Sequence, residues 1–100
     1  MHQIGERYFD WDPQKNIANI KKHGVSFKMA ATAFLDPDAV TFEDETHSQN
    51  EDRFVLIGIN KVNNLLTVCH CFRNGKNVTS IFSAREANSH EKDLYGGDAS

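Results

Sequence analysis

The chain holds little cysteine, little proline and no long apolar run, and each shortage removes a class of protein. Its two cysteines, Cys69 and Cys71, stand two apart on one strand face, roughly 6.6 Å by strand rise. That spacing is near the upper limit for a disulfide, and a flat strand does not turn the two sulfurs together. A disulfide scaffold is excluded, and free thiols suit a bacterial-type cytoplasmic setting. No stretch approaches the roughly 20 apolar residues of a transmembrane helix, and the opening MHQIGERYFDW lacks the apolar centre of a signal peptide. No membrane partner is expected. Positive charge is not in excess either: 11 lysines and arginines face 14 aspartates and glutamates, for a net charge of −3. Coating nucleic acid by bulk charge is thereby excluded, so contact with RNA or DNA needs a local basic patch.

What the chain does contain centres on Leu65 to Arg85, LLTVCHCFRNGKNVTSIFSAR. Asn74-Gly75 lies between two runs rich in β-branched and aromatic residues, and both residues tolerate the positive φ of a type I′ turn. That turn predicts a register in which Arg73 faces Lys76, Phe72 faces Asn77, His70 faces Thr79, Cys69 faces Ser80 and Val68 faces Ile81. One face then carries Leu66, Val68, His70, Phe72 and Ile81; the other carries Leu65, Cys69, Cys71, Val78 and Phe82. Neither is cleanly polar, which places both strands inside a sheet covered at least in part on both sides. Arg85 leaves the end of the second strand, beside whatever site the sheet supports.

One hundred residues suit a single domain with one core, here residues 1–95 with a frayed tail over 96–100. Glu6 to Trp11 reads as a short strand. Asp12-Pro13 starts a helix, the aspartate capping free N–H groups and the proline filling a position whose donor is not needed. Gly24 stops it, with Lys21, Lys22 and His23 set against the negative end of the helix dipole. Ser26 caps a second helix carrying Phe27, Ala30, Ala31 and Phe34, which ends before Asp36-Pro37. Strands follow at Ala39 to Phe42 and Phe54 to Ile59, separated by the polar loop Glu43 to Asp52. A last helix begins after Arg85, where Ser83-x-x-Glu86 and Asn88-x-x-Glu91 both fit a capping box. The expected architecture is α+β, with helices gathered on an antiparallel sheet.

Four clusters can carry chemistry. Lys21-Lys22-His23-Gly24 can hold a phosphate oxygen or simply complement the helix dipole. His47 to Arg53 gathers an imidazole, two carboxylates and a guanidinium, enough for acid–base work or merely a solvated loop. Cys69-His70-Cys71 invites a zinc reading, but alternation points His70 away from both thiols and no further ligand pair completes a site. No metal and no cofactor are expected, and His70 is either a hydrogen-bonded core histidine or a catalytic base. Arg85, with Glu91, Lys92 and Tyr95 along the last helix, can clamp a phosphodiester or belong to a salt-bridged surface helix.

The order of these segments carries further meaning. F-D-W-D-P-Q-K-N-x-x-N-x-x-K-H-G-V-S-F, then A-x-x-F-L-D-P, H-S-x-x-E-D-R-F, I-G, S-A-R-E-A and E-x-x-x-Y closely resemble the BrnT toxins of type II toxin–antitoxin operons, from about Phe9 to Tyr95. The resemblance implies a RelE-like fold: a small antiparallel β-sheet with two N-terminal helices and one C-terminal helix, helices on one face and a catalytic groove on the other. It implies a metal-independent endoribonuclease that inhibits translation. It also implies a BrnA-type antitoxin partner, in a hetero-oligomer of two copies each, with operator DNA reached only through the antitoxin. By position the resemblance points to Lys22, His23, Glu51, Arg53, His70, Arg85, Glu91 and Tyr95; with Lys92 added from the last helix, Arg85, Arg53, Glu51 and His70 are the expected catalytic residues and Lys22, His23, Lys92 and Tyr95 the expected RNA contacts. Two positions depart from the family pattern: Ser80 stands where a basic residue is usual, and the last helix, NSHEKDLY, has no arginine. They open the alternative of a catalytically weak homologue that binds the antitoxin and acts in transcriptional autoregulation.

Overall fold

Two short strands precede the first helix in the computed structural model, which describes residues 1–44, 52–75 and 77–96. β1 (His2–Ile4) turns through Gly5, whose φ of 63° suits a residue without Cβ, into β2 (Arg7–Asp10). After α1 (Pro13–His23) come α2 (Phe27–Ala31) and a 3-10 turn (Thr32–Leu35). β3 (Val40–Glu43), β4 (Phe54–Ile59), β5 (Leu65–Arg73), β6 (Val78–Glu86) and α3 (Ser89–Gly96) complete the chain. The strands form one six-stranded sheet in the order β1-β2-β6-β5-β4-β3. Every pair is antiparallel except β2 with β6, which is parallel.

The caps expected from the sequence are in place. Asp12 accepts the Gln14 amide at 2.8 Å, Ser26 accepts the Met29 amide at 3.1 Å, and the Gly24 amide closes α1 onto the Ile20 carbonyl at 2.8 Å. Of the two candidate capping boxes, Asn88 with Glu91 is the one used, each side chain accepting the other's amide at 2.9 Å. Ser83 lies within β6 instead.

The core fills one face of the sheet. Phe9, Leu56, Leu66, Val68, Ile81 and Ala84 meet Val25, Phe27, Ala30, Ala31, Ala33 and Phe34 from the helical segment. Burying such side chains contributes about 1.5–3 kcal/mol each. β2 pairs with β6 only over Val78–Ser80, which leaves the later part of that strand's edge without a strand partner. Asn19 of α1 takes the place: its amide donates to the Ala84 carbonyl at 2.7 Å and accepts from the Ala84 amide at 3.2 Å, while also donating to Val25 at 2.8 Å. A side chain thus completes the sheet edge and seats α1 alongside β6.

One irregularity in the hairpin decides which side chains reach the second face. Asn74 and Gly75 do adopt positive φ, 53° and 64°, but the strands close at Arg73–Val78, with Asn77 inside the loop, so the register sits two residues from the one expected for a two-residue turn. His70 pairs with Ile81, whereas Cys69 pairs with Ser83, leaving Phe82 as the extra residue of a β-bulge. A one-residue offset exchanges the faces of everything beyond it. In a regular strand Arg85 would share the core face with Ile81; after the bulge Ala84 points into the core and Arg85 pairs with Thr67 on the second face.

The expectation of two N-terminal helices on a small antiparallel sheet is overturned. Two strands come first, the sheet has six strands, and it is mixed. His2–Ile4 is three residues long and its pattern is mostly exposed, so it carries no apolar alternation by which a strand is recognised. The parallel pairing arises because the chain leaves β2 and returns to its neighbour only after the helices and three further strands. The helices are also not all on one face: α2 and the 3-10 turn cover the core face, α1 runs alongside β6, and α3 lies against the second face, through Thr67 and Arg85.

Candidate nucleic-acid interface

Arg85 reaches the second face as the partner of Thr67, and there it meets α3. Its guanidinium donates two hydrogen bonds to Glu91, at 2.8 and 2.7 Å, and one to the Glu86 carbonyl at 3.2 Å. Glu91 also accepts from the Thr67 hydroxyl at 2.7 Å. The Arg85 bonds, opposed by partial burial and helped by the Asn88 amide and the Thr67 hydroxyl, hold the Glu91 carboxyl down at about 2. The same pairing raises Arg85 above its ordinary value. Among the described residues three of the five guanidinium donors are used, and Nε–H with one Nη2–H on the side edge makes a second fork of the kind that matches two phosphate oxygens.

At the other end of α3, the Tyr95 hydroxyl donates to Asp36 at 2.7 Å, and Asp36 also accepts the amides of Ile59 (2.8 Å) and Asp38 (2.9 Å). Burial pushes Asp36 up, but these three donors outweigh it and leave the carboxyl below its usual value. The bond to Asp36, with some burial and the nearby charges of Asp36 and Asp38, pushes Tyr95 up to about 12. Tyr95 and Glu91 thereby pin α3 at both ends. Lys92 is exposed.

A second group of cations surrounds Phe82, the bulge residue. The Arg53 guanidinium stands 4.5 Å from the ring centroid and the Lys15 ammonium 5.7 Å. A groove of about 470 Å³ opens here, lined by Asp10, Trp11, Asp12, Lys15, Arg73, Ser80, Ile81 and Phe82. By register, Arg53 is level with Cys71 and Ser80, and Arg85 with Thr67 and Ile57. Four strand residues separate those levels, roughly 13 Å along the strands, and two strand spacings add about 9.6 Å across them. The two arginines share a face without converging on one atom.

The remaining candidates lie elsewhere. His70 is fully buried on the core face, its Nδ1 bonded to the Val68 carbonyl at 3.2 Å and its ring packed against Phe34, Phe54 and Phe72. Its Nε2 has no partner among the described residues. Burial, reinforced by Arg7 and only partly offset by the Val68 bond, lowers its pKa to about 4. The sheet itself separates this imidazole from Arg85. Lys22 and His23 occupy the last turn of α1, where His23 lines a separate recess with Asn60, Asn64 and Glu86. Glu51 and His47 lie outside the described residues. Cys69 and Cys71 are free thiols, and no group of three or more metal-ligating side chains stands together among the described residues. Lys15, Arg73 and Phe82 gather by tertiary contact. Their one sequence signal is an aromatic between the hairpin turn and the S-A-R motif.

Comparison with known proteins bears on the family and the fold. Residues 11–91 match the family model described as ribonuclease toxin, BrnT, of type II toxin–antitoxin system. No curated protein matches the sequence. Among solved structures, the chain is similar to the Brucella abortus ribonuclease toxin BrnT, seen in a 1.1 Å crystal structure, with 24% identity and a TM-score of 0.61. That match covers 83% of this chain and 99% of the other.

Proposed function

The chain belongs to the BrnT family of ribonuclease toxins of type II toxin–antitoxin systems, and from that premise we propose a metal-independent endoribonuclease that arrests translation until its antitoxin binds. Two arginines, Arg53 and Arg85, on the sheet face opposite the helical core are the observation that supports this reading. In cleavage without a metal the ribose 2′-oxygen attacks the adjacent phosphorus, a base takes its proton, and an acid protonates the departing 5′-oxygen. Cations must hold the phosphoryl oxygens as their charge grows.

We assign the cationic work to Arg85 and Arg53. Arg85 acts through the fork that Glu91 leaves open, and Glu91 fixes the direction in which that fork points. Glu51 is the candidate base. His70, enclosed on the far side of the sheet, has no path to that phosphate without local opening, and the core reading suits it better. Lys92 and Tyr95 are auxiliary contacts beside the Arg85 end, with Tyr95 bonded to Asp36. Lys22 and His23 serve a more distant part of the RNA. The antitoxin is the expected macromolecular partner, and it carries any contact with operator DNA.

A second reading has support of its own. Arg85 is committed to Glu91, Ser80 is buried, and α3 contains no arginine, so this homologue can bind its antitoxin while cleaving RNA weakly. Purified protein incubated with RNA at low salt in EDTA separates the two. Cleavage that is lost in Arg85→Ala supports the enzyme. Intact RNA beside a stable antitoxin complex supports the binding module.

A further inference from the structure

Phe82 occupies an unusual position. It is the unpaired residue of the bulge in β6, set on the face assigned above to RNA, and it is only partly buried. Bulges re-aim side chains at functional surfaces. The ring has no aromatic partner among the described residues; cations surround it instead, Arg53 at 4.5 Å and Lys15 at 5.7 Å, with Arg73 on the same groove. Trp11, the other aromatic of that groove, is already engaged: it stacks on His2 at 3.9 Å and meets Phe27 edge-on.

We infer that Phe82 is a stacking platform for one base of single-stranded RNA, with Arg53 against the ring and Lys15 and Arg73 holding the phosphates on either side. This rests on the ribonuclease reading and adds to it a binding position that Arg53 and Arg85 alone do not supply. An aromatic ring set among cations is the combination by which single strands are held: the ring accepts the face of any base, and the cations follow the backbone. Lys15 lies near the outer limit of a cation–π contact, so its flexible stem can swing to a phosphate as a base arrives, while Arg53 stays against the ring. The two carboxylates of the groove do not cancel the attraction equally. Asp12 is occupied with the α1 cap. Asp10 stands level with Ser80 in the sheet, and its charge counts against a phosphate placed beside it, which favours phosphates on the Lys15 and Arg73 side of the groove.

The test uses the full chain and a short, fluorescein-labelled mixed-base RNA with 2′-O-methyl sugars, which binds but cannot be cleaved. Losing one stacked base costs about 1–3 kcal/mol, so Phe82→Ala and Phe82→Leu are expected to weaken binding by roughly 5- to 150-fold. Phe82→Trp should bind at least as tightly as the parent. Salt dependence distinguishes stacking from charge. Lys15→Gln should lower the slope of log affinity against log salt by about 0.7, the contribution of one phosphate on a single strand, whereas the Phe82 variants leave it unchanged. An abasic version of the probe should bind parent and Phe82→Leu alike. If Phe82→Ala is poorly folded, the Leu and Trp variants decide the matter between them. Equal binding by parent and Phe82→Leu overturns the platform while leaving the ribonuclease reading intact, provided the parent cleaves RNA. A Phe82 variant that loses only the antitoxin complex assigns the ring to the protein interface and overturns it too. A parent that neither binds nor cleaves RNA removes both readings together.

Discussion

At His70 a buried imidazole carries a proton linkage whose sign is fixed by its surroundings. Its folded pKa is about 4, against an ordinary value of 6.5. Between those values the unfolded chain binds a proton that the folded protein refuses, so this contribution is present above pH 6.5 and is lost as pH falls through 4. The difference amounts to about 3 kcal/mol at most. His70→Leu is therefore expected to flatten the stability profile between pH 6.5 and 4 in urea melts, and to leave RNA cleavage unchanged. A variant with the parent's slope would assign the linkage to another group, and loss of cleavage with an intact fold would restore His70 as a base. Glu91 acts in a lower window. Its carboxyl titrates at about 2 rather than 4.5, so its contribution is present above pH 4.5 and disappears as pH falls toward 2. Because the Arg85 side chain is 40% exposed, screening reduces that contribution to about 1–2 kcal/mol. Glu91→Gln should lower stability at neutral pH by this amount and leave the variant and parent nearly equal near pH 2.

Among the elements, α1 and α3 are attached to the sheet by different means. α1 is held by one buried amide, Asn19, which satisfies both backbone groups of Ala84 and the Val25 carbonyl. Asn19→Ala leaves those groups buried and unpaired, and is expected to cost about 2–4 kcal/mol; a chemical-denaturation shift below 1 kcal/mol would mean that water or a rearrangement takes over. α3 has no fully buried residue and depends on Arg85–Glu91 at one end and Tyr95–Asp36 at the other. Arg85→Ala thus affects both the assigned phosphate site and the seat of the helix. Amide exchange separates these roles: Arg85→Ala and Glu91→Gln should both deprotect residues 89–96, whereas only Arg85→Ala should lose cleavage outright. Equal loss in the two would make α3 docking the whole effect. The β6 bulge couples the same parts, because Phe82 is its extra residue and it turns Arg85 to the second face while returning Ala84 to the core.

For the whole molecule, the balance of charge sets how partners approach. A net charge of −3 gives no general attraction to RNA, so affinity must come from the local cations on the second face and should fall steeply with salt. Family membership implies an antitoxin as partner. Coexpression with the adjacent-gene product is expected to yield one complex, two copies of each chain, that survives size exclusion at micromolar concentration and relieves growth arrest. Two separate peaks would contradict it. Among the described residues no helix is long and apolar enough to cross a membrane.

Local chemistry was legible in the sequence by itself. Asp12-Pro13 and Gly24 bound α1, Ser26 starts α2, and Phe54–Ile59 reads as a strand, because caps and apolar runs act over a few residues; for α3 the sequence offered two capping boxes, and the structure uses Asn88 with Glu91. The order of short motifs was legible too, and it led to the family. Tertiary structure decided the rest. A three-residue edge strand, a parallel pairing between β2 and β6, and α3 on the second face depend on contacts between distant segments that no local pattern encodes. The candidate site is the clearest case. Strand alternation alone sets Arg85 on the same face as Ile81; a single unpaired residue, Phe82, moves it to the other, because a strand's two faces exchange with every residue of offset.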